Sequence, residues 1–125
     1  MSSVLIDSDI LIEVTRARDD AVLLRWDELS RAETPLLCSP VTAAELWHGA
    51  RPHEQQALHA LFAAIQSVPI DTDIGIRAGE YLRRFAKSHR VELGDALIAA
   101  TASLHNLALW TRNRKHYPMK DIAFY

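Results

Sequence analysis

The chain has 125 residues, 49% hydrophobic and 24% charged, with a formal net charge of -2 and a single cysteine, Cys38. That is one domain with enough apolar residues for a core; it excludes an intramolecular disulfide, and no overall basic field advertises a nucleic-acid partner, although local patches matter more than the sum. No apolar run nears the roughly 18 residues of a membrane span, and Met1-Ser2-Ser3-Val4 lacks the basic and long apolar regions of a signal peptide, so a reducing, cytoplasmic setting without a membrane partner is expected.

In chain order, Val4-Leu5-Ile6 predicts a short strand buried on both faces, the kind found in parallel sheets. It ends abruptly in Asp7-Ser8-Asp9. In open α/β sheets ligands bind just past the carboxyl ends of strands. An acid there is costly unless something positive, most often a metal ion, compensates it. A helix is expected from about Asp9, with Asp9 as its N-cap. A second helix, roughly Ala21 to Arg31, carries Val22, Trp26 and Leu29 on one face. Leu36–Cys38 reads as a strand closed by Ser39-Pro40, followed by a helix from near Thr42 to near Gly49. Leu58, Leu61, Phe62 and Ile65 mark another helix, and Val68 to Ile70 a third strand. Ile74, Ala78, Tyr81, Leu82 and Phe85 give a long amphipathic helix ending before His89, with Asp71 and Asp73 as turn and cap residues. Asp95 opens a helix that is apolar almost all round and therefore buried. Leu107–Trp110 is a fourth strand and Ile122–Phe124 a short edge strand. Strands alternating with helices predict an α/β fold: a single domain over residues 1–125, with a central, mostly parallel sheet of four or five strands flanked by helices.

Three acids are placed together by that arrangement. Asp7 follows the first strand, and Glu45 lies in the first turn of the helix after the second. Asp95 begins the buried helix that leads into the fourth strand. The short Asn106-Leu107 connection forces that helix antiparallel to its strand, which puts Asp95 at the strand's carboxyl end. The fourth strand delivers Thr111-Arg112-Asn113 to the same edge. Packed carboxylates repel unless a cation sits among them. Oxygen ligands with no His/Cys cluster favour Mg²⁺ or Mn²⁺ over Zn²⁺. Such an ion binds phosphate oxygens and activates water in phosphodiester hydrolysis. Each acid also has a plainer reading: Asp7 as a cap or turn residue, Glu45 as the partner of Thr42 in a capping box, Asp95 as an acid favoured by the helix dipole.

The motifs Ile6-Asp7-Ser8-Asp9, Ser39-Pro40-Val41-Thr42-Ala43-Ala44-Glu45-Leu46 with Gly49-Ala50, Asp95-Ala96-Leu97-Ile98-Ala99-Ala100-Thr101-Ala102, and Thr111-Arg112-Asn113-Arg114-Lys115-His116-Tyr117 stand in order along the chain. In these the chain resembles PIN-domain ribonucleases, specifically the VapC-type toxins of bacterial toxin–antitoxin pairs. The resemblance implies a metal-dependent endoribonuclease whose acidic residues are Asp7, Glu45 and Asp95, with Ser8 and Thr111 as supporting hydroxyls. Many relatives carry a further acid at the place of Asn113 or His116, and this chain has none. Asn113 is then expected to ligate through its amide oxygen or to orient a water. The resemblance further implies cleavage to a 5′-phosphate and a 3′-hydroxyl, a cognate antitoxin that inserts a basic side chain into the acidic pocket, and a possible homodimer. Trp26, Trp47 and apolar faces in the N-terminal half suit an antitoxin groove or simple core packing.

RNA reaching an acidic pocket needs basic residues around it. Arg112, Arg114, Lys115 and His116 are the first candidates, and Arg16 and Arg18 the next. Arg83, Arg84, Lys87, His89 and Arg90 read as a solvated helix face. Two rival readings are open at this point: a catalytically degenerate PIN domain serving as a protein-binding module, and a phosphatase of the haloacid dehalogenase type, whose Asp-x-Asp motif Asp7-Ser8-Asp9 mimics.

Overall fold

The computed structural model describes residues 3–125. Strand β1 (Val4–Ile6) is followed by helices α1 (Ser8–Arg16) and α2 (Asp20–Arg31) and strand β2 (Leu36–Cys38). Helix α3 (Pro40–His48), a 3-10 turn at Pro52–Glu54 and helix α4 (Gln55–Ala64) lead to β3 (Gln66–Ser67). Helices α5 (Thr72–His89) and α6 (Leu93–Leu104) precede β4 (Ala108–Trp110), and a second 3-10 turn, Arg114–His116, precedes β5 (Ala123–Phe124).

All strand pairs are parallel and the order is β3-β2-β1-β4-β5. Strand β1 lies at the centre, with Val4 opposite both Leu36 and Ala108, and Ile6 opposite Trp110. A central parallel strand is covered on both faces, which is why its three residues are all apolar and all buried. Strand alternation then splits the core. Val4 and Ile6 pack with Ile10, Leu11, Val22, Leu29 and Leu46 from α1, α2 and α3. Leu5 packs on the other face with Ile74, Ala78 and Tyr81 of α5 and the alanines of α6. Those alanines, Ala96, Ala99, Ala100 and Ala102, are at most 1% exposed, and their small side chains let α6 lie close between α5 and the sheet.

The chain steps outward from β1 through β2 to β3, then crosses to the other side for β4 and β5. The carboxyl ends of β1 and β4 therefore flank a topological switch point, where an open α/β sheet leaves a crevice. The backbone N–H of Asp7 donates to the Trp110 carbonyl at 3.0 Å, which seats Asp7 on one lip of that crevice.

Three local expectations need correction. Asp7, not Asp9, is the N-cap of α1: its backbone is extended and its side chain accepts from the Ser8 N–H. Helix α3 starts at Pro40 with Ser39 as N-cap, its hydroxyl accepting from the Val41 N–H at 3.1 Å. Serine followed by proline at the first helical position makes the earlier start, because proline's fixed φ and missing N–H suit that place. Glu45 consequently sits in the second turn rather than the first and forms no capping box with Thr42. Strand β3 is Gln66–Ser67 rather than Val68–Ile70. The Val68 N–H still donates to the Cys38 carbonyl at 2.9 Å, but Pro69 has no N–H to carry the ladder on.

Candidate active site

Asp7 is 6% exposed, and both its carboxylate oxygens are engaged. Its Oδ1 accepts the Ser8 N–H at 2.8 Å. Its Oδ2 accepts the Thr111 hydroxyl and the Tyr117 hydroxyl, each at 2.9 Å. The carboxylate also caps the N-terminal end of α1. Thr111 is placed by following β4 directly; its Oγ1 in turn accepts the Asn113 N–H at 3.0 Å.

A cavity of about 220 Å³ opens beside Asp7, lined by Ser8, Asp9, Glu45, Glu92, Asp95, Asn113 and His116. Ser8 bridges two of the acids, its hydroxyl lying 3.1 Å from Glu45 Oε1 and 3.4 Å from Asp7 Oδ1. Asp95 stands at the third position of α6, where its Oδ2 accepts the N–H of Glu92, the N-cap, at 3.1 Å. His116 Nδ1 is 3.8 Å from the same oxygen. Asp9 Oδ2 accepts the Arg112 N–H at 2.9 Å and the Asn113 side-chain amide at 3.2 Å. Burial raises the carboxyls of Asp9, Glu45 and Asp95 above their ordinary values, and the negative charge of Asp7 adds to the rise in each. Burial, then the Asp7 charge, pushes the Tyr117 hydroxyl far up, so it remains a proton donor to Asp7.

The family model described as the PIN domain matches residues 4–124. The chain belongs to the PIN-domain family. Ribonuclease VapC10 of Mycobacterium tuberculosis is 41% identical over 121 residues, covering 93% of this chain and 86% of that protein. A solved toxin–antitoxin complex from Klebsiella pneumoniae superposes with a TM-score of 0.75 at 28% identity, over 94% of this chain and 92% of that one. The DNA-bound VapBC structure from Salmonella typhimurium gives 0.82 at 18% identity, over 100% of this chain and 98% of that one, a likeness of fold. Membership of the PIN-domain family sets aside the phosphatase reading of Asp7-Ser8-Asp9.

PIN-domain ribonucleases are generally dependent on a divalent metal, and the donor set here fits a hard cation. It is all carboxylate, amide and hydroxyl oxygen apart from His116 at the rim, and Asp9 Oδ1 is buried with no hydrogen-bond partner among the described residues. The acids line the cavity rather than close on one point. Among the described residues no three His, Cys, Asp or Glu side chains are gathered into a ready ligand set, so the expected trio of Asp7, Glu45 and Asp95 shares a cavity but not a preformed ligand shell. Mg²⁺ suits that openness, because it keeps several waters and takes only one or two carboxylates directly. A structural Zn²⁺ site, with four closed nitrogen and sulfur ligands, does not.

Several residues stand elsewhere than the PIN motif alone suggested. The Arg112 guanidinium is turned away to Glu13 at 3.2 Å and Asp19 at 2.9 Å, where it ties the loop after β4 to α1 and the start of α2; it is committed to two acids rather than free for RNA. Arg114 stacks over the Phe124 ring at 4.7 Å. Lys115 is exposed, and of Arg112, Arg114, Lys115 and His116 the last alone lines the cavity. The sequence passes over Glu92 and Tyr117 as site residues and reads Asp9 as a cap ahead of a ligand. Glu92 has a legible signal, since an acid three residues before Asp95 at a helix start is a capping pair. Tyr117 has none.

The raised carboxyls predict how the metal-free protein responds to pH. A folded value above the unfolded one means that the native state holds more protons, so stability falls as pH rises through the raised values. In metal-free protein the contribution of Asp9, Glu45 and Asp95 to the melting point should be larger near the ordinary carboxylate range than at neutrality, opposite in sign to that of Asp121 and Glu54, whose carboxyls are held low. Glu45→Gln, which removes repulsion with Asp7, Asp95 and Glu92, should raise its melting point at neutral pH. Exposure of Glu45 screens the gain, which should stay under the roughly 4 °C that 1 kcal/mol is worth in a chain this size. Thermal melts in chelator check both, and a lower melting point for the Gln protein would contradict the charge argument.

Proposed function

We propose that this PIN-domain chain is an endoribonuclease, the toxin of a toxin–antitoxin pair, that uses Mg²⁺ or Mn²⁺ and works in the cytoplasm. The observation that carries the reading is Asp7, fixed by Thr111 and Tyr117 at the switch point of the sheet, with Glu45 and Asp95 lining the same cavity. Its closeness to a protein named as a ribonuclease supports the same chemistry.

Asp7, at the carboxyl end of β1, and Asp95, in the first turn of α6, are the proposed metal ligands, since both line the same cavity. When bound, such an ion would supply charge neutralisation at the scissile phosphate and a more acidic water. Glu45, tethered through Ser8, orients the attacking water and takes its proton. The water oxygen bonds to phosphorus in line with the leaving group, the P–O3′ bond breaks, and the proton passes to the 3′ oxygen. The products are a 5′-phosphate and a 3′-hydroxyl. Asn113, held by Asp9, orients water or the phosphate from the side, and His116 and Lys115 meet the strand at the rim. The antitoxin, by analogy with the complexes formed by structural relatives, is proposed to block this pocket by placing a cation among the carboxylates.

Incubating the purified chain with total RNA, with and without Mn²⁺, and mapping the cut ends tests the reading. Metal-dependent cuts bearing 5′-phosphates are expected, and chelator should abolish them. Neither cleavage nor Mn²⁺ binding would instead make the chain a protein-binding PIN module.

A further inference from the structure

We propose that a second, basic cavity at the end of α1 is a phosphate subsite for RNA flanking the scissile bond, an inference that rests on the ribonuclease reading above. The cavity, about 410 Å³, is walled by Arg16, Arg18, Arg51 and His53, with Glu54 the single acid in its lining. In a chain whose net charge is -2, four cationic or protonatable side chains around one hollow are a local reversal of sign, the footprint that a polyanion recognises.

The one acid organises the cluster rather than cancelling it. Glu54 Oε1 accepts the Arg51 backbone N–H at 3.0 Å, and its Oε2 lies 3.5 Å from Arg16 Nε. Arg18 pairs with Glu13 at 2.9 Å. Among the described residues neither Arg51 nor His53 has an acid partner within salt-bridge distance. Both are exposed, so their donors are open to a phosphate.

The position relative to the catalytic cavity gives the cluster its role. A groove between α1, α3 and α4 shares Arg16 and Glu54 with the basic cavity. At its other end the same groove shares Glu45 with the acidic cavity. Between them Ile12, Leu46, Ala50 and Leu58 form an apolar strip, a surface for a sugar or base face but not for a phosphate. The three hollows thus adjoin one another through shared residues, acidic, apolar and basic in turn. The scissile phosphate sits in the acidic end only with a cation, nucleosides pass over the strip, and a flanking phosphate reaches Arg51 and His53. Arg112, one of the first sequence candidates for RNA contact, is held by Glu13 and Asp19; Lys115 and His116 serve the rim of the acidic cavity, and Arg51 and His53 supply cations farther along the strand.

The test measures binding of the full-length Asp7→Asn chain to labelled single-stranded RNA across a salt series, alone and with Arg51→Ala plus His53→Ala. Removing both should weaken binding roughly 10-fold, the equivalent of a charge-assisted hydrogen bond. It should also flatten the slope of log affinity against log salt by about 0.7 for each phosphate that the cavity no longer holds. Arg51→Lys should restore most of the slope, because the phosphate is held by charge. Arg83→Ala, which removes one charge from α5, should leave the slope alone. In the cleavage-competent chain the Arg51/His53 substitutions should raise KM for long RNA while leaving kcat on a dinucleotide unchanged. A wild-type chain that cuts RNA with the slope unaltered by Arg51/His53 substitution overturns the subsite and leaves the ribonuclease reading standing. Loss confined to antitoxin binding, with RNA affinity intact, assigns the cavity to the protein partner and equally overturns it. If no RNA is bound or cut at all, both readings fail together.

Discussion

Asp7→Asn should abolish RNA cleavage while leaving the fold in place. The loss should be about 10²-fold or more, beyond the 10–100-fold typical of an outer partner of a metal ligand. The geometry explains why the fold survives. Asparagine has the shape of aspartate, and its amide oxygen can keep the bond from the Ser8 N–H. On the other side its NH₂ meets the hydroxyls of Thr111 and Tyr117, which rotate from donating to accepting. What is lost is the charge, and with it the reason for a divalent cation to sit at the mouth of β1. Asp7→Ala is the contrasting variant. It strands two buried hydroxyls that now converge on Oδ2, at about 1–3 kcal/mol for a buried group left unsatisfied. That is a large share of the roughly 5–15 kcal/mol that holds a domain together. End-mapped cleavage rates measured beside thermal melts separate the two effects. Full activity in a folded Asn protein would remove Asp7 from the mechanism.

The site is built from charges that oppose folding. Asp9, Glu45 and Asp95 are each raised by burial and by Asp7, so the metal-free chain stores repulsion at the crevice. The surrounding structure holds them apart by directing donors at each: Ser8 at Glu45, the Glu92 N–H at Asp95, the Arg112 and Asn113 amides at Asp9. A bound cation, or a cation carried in by an antitoxin, relieves the same repulsion. One electrostatic arrangement therefore serves both catalysis and its inhibition, and ligand binding of either kind should stabilise the native state by mass action.

What is legible in the sequence follows from which signals are local. Strand β1 and Asp7 are readable because an uninterrupted apolar triplet ending in an acid is the pattern that a central parallel strand with a ligand site at its carboxyl end requires. The Ala-rich α6 is readable because it has no polar face to turn to water. Strand β3 falls earlier than its sequence suggests because Gln66 and Ser67 are exposed and carry no apolar pattern, whereas Val68 is buried by packing rather than by the ladder. The start of α3 reads late because Thr42-Ala43-Ala44-Glu45 matches a capping box, while Ser39-Pro40 offers a better cap ahead of it. The fate of Arg112 is hidden for another reason. Its partners, Glu13 and Asp19, come from the far end of the chain, and the apolar face of α1 gives no hint of which acids its polar face presents. Side chains that meet only through the fold, such as Arg112 with Glu13, cannot be paired from spacing.

Tyr117 is the sharpest instance and carries the last prediction. It lies in the loop after the second 3-10 turn, yet it is 3% exposed and its hydroxyl reaches Asp7 across 110 residues of sequence. Tyr117→Phe keeps the ring and its packing and deletes one oxygen, so no sizeable cavity opens. Asp7 Oδ2 is left with Thr111 as its one remaining side-chain donor. The carboxylate then loses the second of two bonds that fix its plane toward the acidic cavity. An outer partner of this kind typically contributes about 10–100-fold to metal affinity or activity, and a loss in that range is expected here. Stability should fall too, since a hydrogen bond to a charged acceptor contributes about 1.5–3 kcal/mol. Stability alone cannot decide the role of Tyr117, because any buried hydroxyl would show it. Mn²⁺ affinity measured by calorimetry on the folded chain decides it. A Phe protein that melts lower but binds Mn²⁺ and cuts RNA as the wild type does would reduce Tyr117 to a packing residue.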